Sequence, residues 1–388
     1  METLRFVMTS TFYPPYHLGG DAVHVKYLAE ELAKRGHEVH VMHSRDAYRL
    51  KRKDSPSETD NGKVHVHTVE SPYGRLTPMK VYAFGNSSFI LNNYRKLVSD
   101  VKPEIVHHHN ISLLGHGLLR KIGNYRQLYT AHDHWLICQK STMMRNGQPC
   151  KDRHCTSCSL NSGKPPQLWR KNIDLGDLDC LICPSKYMAG KLAGLNIPLA
   201  ILPNFSPEPP RTIPEIEEDN FFLYMGVLEE HKGIRVLLDA FAKSKNRLII
   251  IGRGSMSGFV ERTILERKMA PRVKYLGWKG KEKWGYLGKA NALLIPSTGP
   301  ENFPYVALEA MSVGTPVICS DTGGTAEAVG LLSADLVIPL NKLKSGLASL
   351  TVPRIPRDAV KQVFEMKFSS ESYMNKYMAV VKGGCPST

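Results

Sequence analysis

The segment of this sequence that most specifically indicates a chemical function contains two glutamates eight residues apart. Glu301 follows an apolar run that predicts a strand, and Glu309 falls within a helix predicted to begin at Pro304. This spacing places one carboxylate at the end of the strand and the other more than a turn along the helix, so the two are not expected to form a close acid and base pair. They can bind different hydroxyl groups of one extended ligand; for two isolated glutamates, the alternative is ordinary surface acids.

A glycine pair near the start of the chain predicts a site for an anion. Gly19-Gly20-Asp21 stands where the loop after the first predicted strand meets the first predicted helix, so unhindered backbone N–H groups and the helix dipole can point at a phosphate. The alternative is a flexible loop with Asp21 as the N-cap. The G-x-G-x-x-G pattern does not follow this strand, which argues against a dinucleotide oxidoreductase.

Histidines follow two predicted strands. His132, in Thr130-Ala-His-Asp-His134, comes directly after an apolar run, so we expect its side chain at the edge of a ligand-binding cleft. His107-His108-His109 end another strand. For these three we favour a lining or packing role over metal binding.

Eight cysteines in a chain without a secretion signal are expected to be reduced thiols, core residues or metal ligands. The pair at 155 and 158 has the spacing of a zinc site, and four thiolates could form a structural zinc site. The alternative is a set of unmetallated thiols that orders an insertion at about 138–169. We interpret Cys180 and Cys183, within a predicted strand, as core residues. The four candidate zinc ligands, near which His154 also lies, are Cys138, Cys150, Cys155 and Cys158.

The elements that must position these residues are alternating strands and helices. Short apolar runs typical of covered parallel strands recur through the first half, and the alternation restarts at Phe221 after a proline-rich stretch. We therefore predict an α/β protein with two doubly wound, Rossmann-like domains facing a central cleft. The predicted boundaries are 1–203 for the first domain, 204–214 for the linker, 215–365 for the second domain, and 366–388 for a C-terminal helix that packs back on the first.

Length and charge limit the class of protein further. A chain of 388 residues predicts two domains and excludes a small metal-folded module. Its formal net charge of +15 favours anionic partners in general. The sequence shows neither a membrane-spanning apolar stretch nor a signal peptide, so we expect a cytoplasmic protein. The basic run Tyr48–Lys53 is predicted to be a loop, either solvated or in peripheral contact with an anionic membrane on its inner face.

Several of these segments together resemble the retaining GT-B glycosyltransferases of family four, the glycosyl transferases group 1. The Glu301 to Glu309 segment resembles the E-x7-E motif of that family. The resemblance covers most of the chain, because further motif residues follow in the same order: Gly19-Gly20, His132, Asn204, Gly226, Lys232-Gly233 and Gly314-Thr-Pro-Val.

The resemblance implies a GT-B fold whose second domain binds a nucleotide-diphosphate sugar, with a UDP-sugar favoured, and whose first domain binds the acceptor. Glu309 would then hydrogen-bond the ribose hydroxyls. Glu301, with the amides of Asn302 and Phe303, would position the donor sugar and steady the leaving phosphate. Lys232 would neutralise the diphosphate. The resemblance implies that catalysis requires no cofactor.

The same resemblance implies roles for residues outside this segment. Gly19-Gly20 would close on the diphosphate from the first domain, and Gly277 and Trp278 would contact the base. His132 would lie beside the donor sugar as a catalytic residue. One departure concerns Val227, which stands where the family usually has an arginine on the diphosphate; either Lys232 acts alone or Arg253 substitutes. A second departure is Glu301-Asn-Phe-Pro in place of the E-G-F-G-type run.

The sequence therefore favours a retaining glycosyltransferase that transfers a sugar to an acceptor hydroxyl in the biosynthesis of a glycan, glycolipid or glycosylated metabolite. One alternative is a nucleotide-sugar epimerase of the same architecture, which would consume the donor without an acceptor. Another alternative is a zinc-bearing nucleic-acid-binding protein, but this function does not explain the Glu301 to Glu309 segment. We expect no nucleic-acid partner.

Overall fold

The computed structural model describes residues 2–54, 56, 61–145, 148–150 and 155–385, and the chain divides into two compact units. Unit 1 comprises Met1–Arg145, Cys150–Leu202 and Met374–Thr388. Unit 2 comprises Asn146–Pro149 and Pro203–Tyr373. The predicted linker at 204–214 thus lies within unit 2, and the last part of the chain belongs to unit 1.

Unit 1 is built on a seven-stranded parallel sheet with the order β3-β2-β1-β4-β5-β8-β9. The chain order of the strands up to residue 202 is β1 (Arg5–Thr9), β2 (Glu38–Ser44), β3 (His65–Val69), β4 (Ile105–His108), β5 (Arg126–Thr130), β6 (Met144–Arg145), β7 (Gln148–Pro149), β8 (Cys180–Cys183) and β9 (Leu199–Ile201). The α-helices are α1 (Gly20–Lys34), α2 (Arg45–Lys51), α3 (Leu76–Phe84), α4 (Ser88–Val101), α5 (Cys155–Leu160) and α6 (Lys186–Leu192). Short 3-10 helices occupy His116–Leu119, Leu168–Asn172 and Ala193–Leu195.

Unit 2 is built on a six-stranded parallel sheet with the order β12-β11-β10-β13-β14-β15. Its strands are β10 (Phe222–Met225), β11 (Leu248–Ile251), β12 (Val273–Tyr275), β13 (Ala292–Ile295), β14 (Val317–Ser320) and β15 (Val337–Ile338). The helices that follow β10 in the chain are α7 (Ile234–Phe241), α8 (Ser257–Glu266), α9 (Lys283–Lys289), α10 (Tyr305–Ser312), α11 (Gly323–Gly330), α12 (Leu343–Ala348), α13 (Arg357–Phe368) and α14 (Ser370–Val381). Its 3-10 helices are Glu230–Lys232, Ala334–Leu336 and Leu340–Lys342.

The central strands of both sheets are covered on both faces, and those of unit 2 are continuous apolar runs apart from Ser320 at the end of β14. All four residues of β11, β13 and β14 are buried, and so are all four of β4 and β8. A buried strand of this kind shows a continuous apolar run rather than alternation, which is why the sequence located these strands well. The predicted GT-B-type architecture of two parallel-sheet α/β domains is confirmed.

The end of the chain is attached to unit 1 through the second half of α14. The Tyr377 hydroxyl lies 2.9 Å from Nδ1 of His107, and Nε of Arg126 donates to the Val380 carbonyl at 3.0 Å. Cys180 of β8 forms a disulfide with Cys385. The predicted reduced state is therefore wrong for Cys180, although Cys183 remains a buried free thiol. The two bonded cysteines are 205 residues apart, so strand periodicity gave no sign of their pairing.

Two local predictions are also corrected. The basic run at 48–53 is not a loop throughout, because Tyr48 to Lys51 belong to α2 and the Tyr48 side chain is buried. Arg49 pairs with Glu70, so part of the basic charge is compensated. Pro304 is the N-cap of α10 rather than a residue of its first turn. In the part of the chain that the structure describes, the helices include none long and apolar enough to cross a membrane.

The disulfide yields a stability prediction. Cys385→Ser should lower the free energy of unfolding of unit 1 by about 2 to 4 kcal/mol, because the bond closes a long loop in the unfolded chain. Denaturant unfolding, read by hydrogen exchange of the α14 amides under oxidising conditions, measures this. Cys155→Ser, which removes an exposed cysteine that takes no part in the disulfide, is the control. If adding reductant does not lower the free energy of unfolding of the wild-type protein, the disulfide is not formed.

Candidate functional site

The sheet of unit 2 brings two loops together at its carboxyl edge. β10 pairs with β11 on one side and with β13 on the other, so the chain order reverses beside β10. Helices on either side of such a point separate the loops that follow the two strands, and ligands of doubly wound sheets bind in the crevice between them. The two loops here contain Gly226–Lys232 and Pro296–Glu301.

A lysine from the first loop and a glutamate from the second meet at this point. The Nζ atom of Lys232 donates to Oε1 of Glu301 at 2.6 Å, and the Ser297 hydroxyl donates to the same oxygen. The Glu301 residue is only 8% exposed, whereas the Lys232 side chain is 27% exposed. The pair therefore compensates the charge of a buried carboxylate and leaves part of the ammonium group accessible to a ligand.

Two glycines allow these loops to approach other backbone segments closely. The Gly324 N–H donates to the Glu301 carbonyl at 2.7 Å, and a Cβ on Gly323 would lie 2.1 Å from that oxygen. A Cβ on Gly233 would lie 1.8 Å from the Pro296 carbonyl oxygen. Both glycines have positive φ, at 66° and 76°. Only glycine fits these contacts, so they fix the positions of Glu301 and Lys232.

Glu309 also pairs with a lysine. It lies within α10, is 8% exposed, and accepts a 2.7 Å hydrogen bond from Nζ of Lys283 at the start of α9. Sequence reasoning missed Lys283, because it precedes Glu309 by 26 residues and belongs to another helix. The structure therefore shows two buried glutamates, each hydrogen-bonded to a partly exposed lysine.

The segment between the two glutamates is held by its backbone. The Asn204 side-chain amide donates to the Phe303 carbonyl at 3.2 Å, and the Phe303 ring is buried against Phe368, with ring centroids 5.6 Å apart. Because α10 begins at Tyr305, the amides of Asn302 and Phe303 precede its first turn. Their predicted role with the leaving phosphate therefore depends on the loop rather than on amides within the helix.

Arg253 lies next to the position where the family motif has its arginine. Val227, at that position, is 53% exposed. The Leu228 N–H donates to the Arg253 carbonyl at 3.1 Å, so the loops after β10 and β11 run side by side. The two loops are close because Gly252 has no side chain: a Cβ there would lie 1.8 Å from the Gly226 carbonyl oxygen. The exposed Arg253 side chain thus starts beside Val227.

The predicted base-binding residues follow β12. Gly277 has positive φ, and its carbonyl accepts a hydrogen bond from the Gly252 N–H at 2.8 Å. Trp278 is 64% exposed. An exposed indole beside the ends of β11 and β12 offers an aromatic face to a planar ligand.

In unit 1, the glycine pair is at the N-terminus of α1. Gly19 is the N-cap with φ of 86°, and Gly20 is the first residue of the helix. Asp21 is not the cap; its carboxylate accepts a 2.8 Å hydrogen bond from the Asn110 side chain. Burial raises the pKa of Asp21. The N-terminus of this helix therefore has no side-chain cap among the described contacts.

His132 follows β5, as predicted, and two further histidines lie against it. Its Nε2 is 3.0 Å from Nδ1 of His109, which follows β4, and its ring centroid is 4.8 Å from that of His24 in α1. Burial lowers the pKa of His132 to about 3 and raises the pKa of Asp133 to about 7. The His132 ring is therefore neutral near pH 7 and can donate one hydrogen bond and accept another. Sequence reasoning missed His24.

The four candidate zinc cysteines are not brought together in the same way. Among the described residues, the one group of at least three ligand atoms within 4.8 Å of one another consists of histidines, and Cys138, Cys150, Cys155 and Cys158 do not belong to it. His154 lies outside the described residues. The close tetrahedral set that a structural zinc ion requires is thus not formed here, and zinc binding by these cysteines stays a prediction.

Comparison with known proteins agrees with this architecture. The model of Glycosyltransferase Family 4 matches residues 18–205, and the model of Glycosyl transferases group 1 matches residues 207–348. A glycogen synthase of Mycobacterium tuberculosis is 25% identical, over 84% of this chain and 80% of its own length.

Solved structures show the same fold. Sucrose-phosphate synthase from Thermosynechococcus elongatus superposes with a TM-score of 0.71 at 19% identity, covering 98% of each chain. Anabaena Alr3699/HepE, solved in complex with UDP-glucose, superposes with a TM-score of 0.65 at 14% identity, covering 98% of this chain and 99% of its own. With the two family models, which follow one another along most of the sequence, these similarities show that the chain belongs to the group 1, family 4 glycosyltransferases of GT-B fold.

Proposed function

We propose that this glycosyltransferase moves a sugar from a nucleotide-diphosphate sugar, a UDP-sugar, to an acceptor hydroxyl with retention of anomeric configuration. The product would be a glycan, a glycolipid or a glycosylated metabolite. The observation that carries the proposal is the Lys232–Glu301 pair at the carboxyl edge of the unit 2 sheet. A cation and a carboxylate fixed side by side suit the two parts of such a donor, its diphosphate and its sugar hydroxyls.

The electrostatics of the leaving group explain why Lys232 would contribute to rate. Breaking the bond between sugar and phosphate leaves negative charge on the departing diphosphate. A fixed cation stabilises that charge more in the transition state than in the ground state. Glu301, Ser297 and the Pro296–Gly233 contact hold Lys232 in place before the donor binds, so little reorganisation is needed during the reaction.

Glu309 and Lys283 would recognise the nucleoside end. A carboxylate oxygen accepts hydrogen bonds from two ribose hydroxyls, and charged acceptors form stronger bonds than neutral ones. Lys283 compensates the charge of Glu309 in this buried position. Trp278 and Gly277, after β12, would contact the base. Anabaena Alr3699/HepE, a protein of the same fold, was solved with UDP-glucose, which supports a nucleotide-sugar donor.

Arg253 would supply the second cation on the diphosphate that Val227 lacks. The hydrogen bond between the Leu228 N–H and the Arg253 carbonyl places the two loops in contact, and an arginine side chain is long enough to cover the neighbouring position. The neutral His132 would be the catalytic residue near the donor sugar, and Gly19-Gly20 would bind phosphate at the N-terminus of α1. The 138–169 insertion would contact the acceptor. Arg52 and Lys53 would contact an anionic membrane surface.

Donor binding is tested by Glu309→Gln. A thermal-shift panel of nucleotide sugars should identify the donor, because a ligand at about 100 times its Kd stabilises a protein by roughly 2.7 kcal/mol. Glu309→Gln should weaken binding of the free nucleotide by at least about tenfold, since a hydrogen bond to a charged group contributes about 1.5 to 3 kcal/mol. Titration calorimetry measures this, with the exposed Glu266→Gln as control. Equal affinities would remove the role of Glu309.

Turnover is tested by variants of the ion pair. Lys232→Met and Glu301→Gln should each lower kcat by about 100-fold or more, because loss of one preorganised group at the developing charge costs about 2.7 to 4 kcal/mol. Steady-state kinetics with the identified donor measures kcat, and Lys376→Met, which removes an exposed lysine of α14, is the control. If both variants retain wild-type kcat, the pair does not act on the leaving group.

The stereochemical outcome is tested on the product. We expect NMR of the product to show the anomeric configuration of the donor, as in a front-face mechanism in which the departing phosphate helps to deprotonate the acceptor. An inverted product would contradict retention. A parallel incubation with the donor alone separates transfer from epimerisation, because an epimerase changes the sugar without an acceptor.

A further inference from the structure

Three histidines from separate elements of unit 1 point their ring nitrogens at one another. His24 lies in α1, His109 follows β4, and His132 follows β5. One ring nitrogen of each lies within 4.8 Å of the others, and no carboxylate or thiol belongs to the group. His24 and His109 are fully buried, and His132 is partly exposed. The parallel order of β1, β4 and β5 brings the three together, because α1 follows β1 directly.

One ring nitrogen of His109 has no protein partner. Nδ1 of His109 contacts Nε2 of His132, whereas Nε2 of His109 is buried without a hydrogen-bond partner. A buried polar atom without a partner is destabilising, and a bound water or ion would satisfy it. The neighbouring His107 does not share this property, because its two ring nitrogens contact Tyr377 and Thr130.

We propose that His24, His109 and His132 bind one late first-row divalent metal ion, with Zn²⁺ as the representative, through three imidazole nitrogens. Neutral imidazole is a preferred ligand of Zn²⁺, Cu²⁺ and Ni²⁺, and three histidines leave one coordination position for water or another small ligand. That position lies on the side of His132, the partly exposed member. Small rotations of the rings bring nitrogens within 4.8 Å to the separations that bonds of about 2.0 to 2.1 Å require.

The contacts around the group support these ligands. The rings of His107 and His109 have centroids 4.0 Å apart, and His107 is itself held by Tyr377 and Thr130. This packing restricts the orientation of the His109 ring. His132 is also the residue proposed to lie beside the donor sugar, so a metal ion bound there would occupy it in place of the sugar. Metal binding itself can be tested without an activity assay.

The test is a Co²⁺ and Zn²⁺ titration of the full-length protein. A Cys155→Ser/Cys158→Ser background removes the separate thiol pair and keeps the three histidines. We expect one equivalent of Co²⁺ with a visible ligand-field band and without a thiolate charge-transfer band, and Zn²⁺ binding that competes with a chromophoric chelator. His24→Asn and His109→Asn should each weaken Zn²⁺ affinity by more than about 100-fold, since even outer-shell partners contribute 10- to 100-fold.

The matched control is His65→Asn. His65 stacks on His40, which in turn contacts His67, so this variant removes one histidine from a second cluster in the same unit. We expect it to leave Zn²⁺ affinity unchanged. The ring NMR signals of wild-type histidines provide a measurement that needs no variant: Zn²⁺ should shift those of His24, His109 and His132. Absence of binding in the serine background, or equal loss in His65→Asn and His24→Asn, would overturn the proposal.

Discussion

The pairing of β10 with both β11 and β13 is the constraint on which the site of unit 2 depends. It brings the loops after β10 and β13 to one edge, where Lys232 meets Glu301. Two close contacts then fix this arrangement, since both Gly233 and Gly323 approach carbonyl oxygens more closely than any Cβ would allow. A buried carboxylate without a cation would be costly, so the fold and the ion pair require each other.

Much of this arrangement could be predicted from the sequence, for a physical reason. Strands covered on both faces are short apolar runs, and the loops that follow them at the carboxyl edge carry the polar residues, so strand positions predict site positions. Glu301 and His132 were located in this way. The roles assigned to them came from the order of several motifs, because a lone glutamate or histidine has no specific signal.

Other features depend on contacts between residues far apart in the chain, which a pattern cannot show. Lys283 meets Glu309 from another helix, Cys385 meets Cys180 from the last turn of the chain, and His24 meets His132 across two elements. Local geometry was also missed at Tyr48, which is buried by α2 although its neighbours in sequence are basic. A run of charged residues in the sequence does not reveal that one face of a short helix is buried.

The charges of the two glutamate sites constrain how a donor could bind. Lys232 offsets Glu301 and Lys283 offsets Glu309, so within these two pairs the charge is balanced before any ligand arrives. A diphosphate adds negative charge, and the Lys232 ammonium group would bind it through the N–H donors that Glu301 does not occupy. The remaining lone pairs of the Glu301 carboxylate would accept a hydrogen bond from a sugar hydroxyl. Phosphate and sugar would therefore be recognised together by one pair. Arg253, exposed beside Val227, would supply further positive charge for the diphosphate.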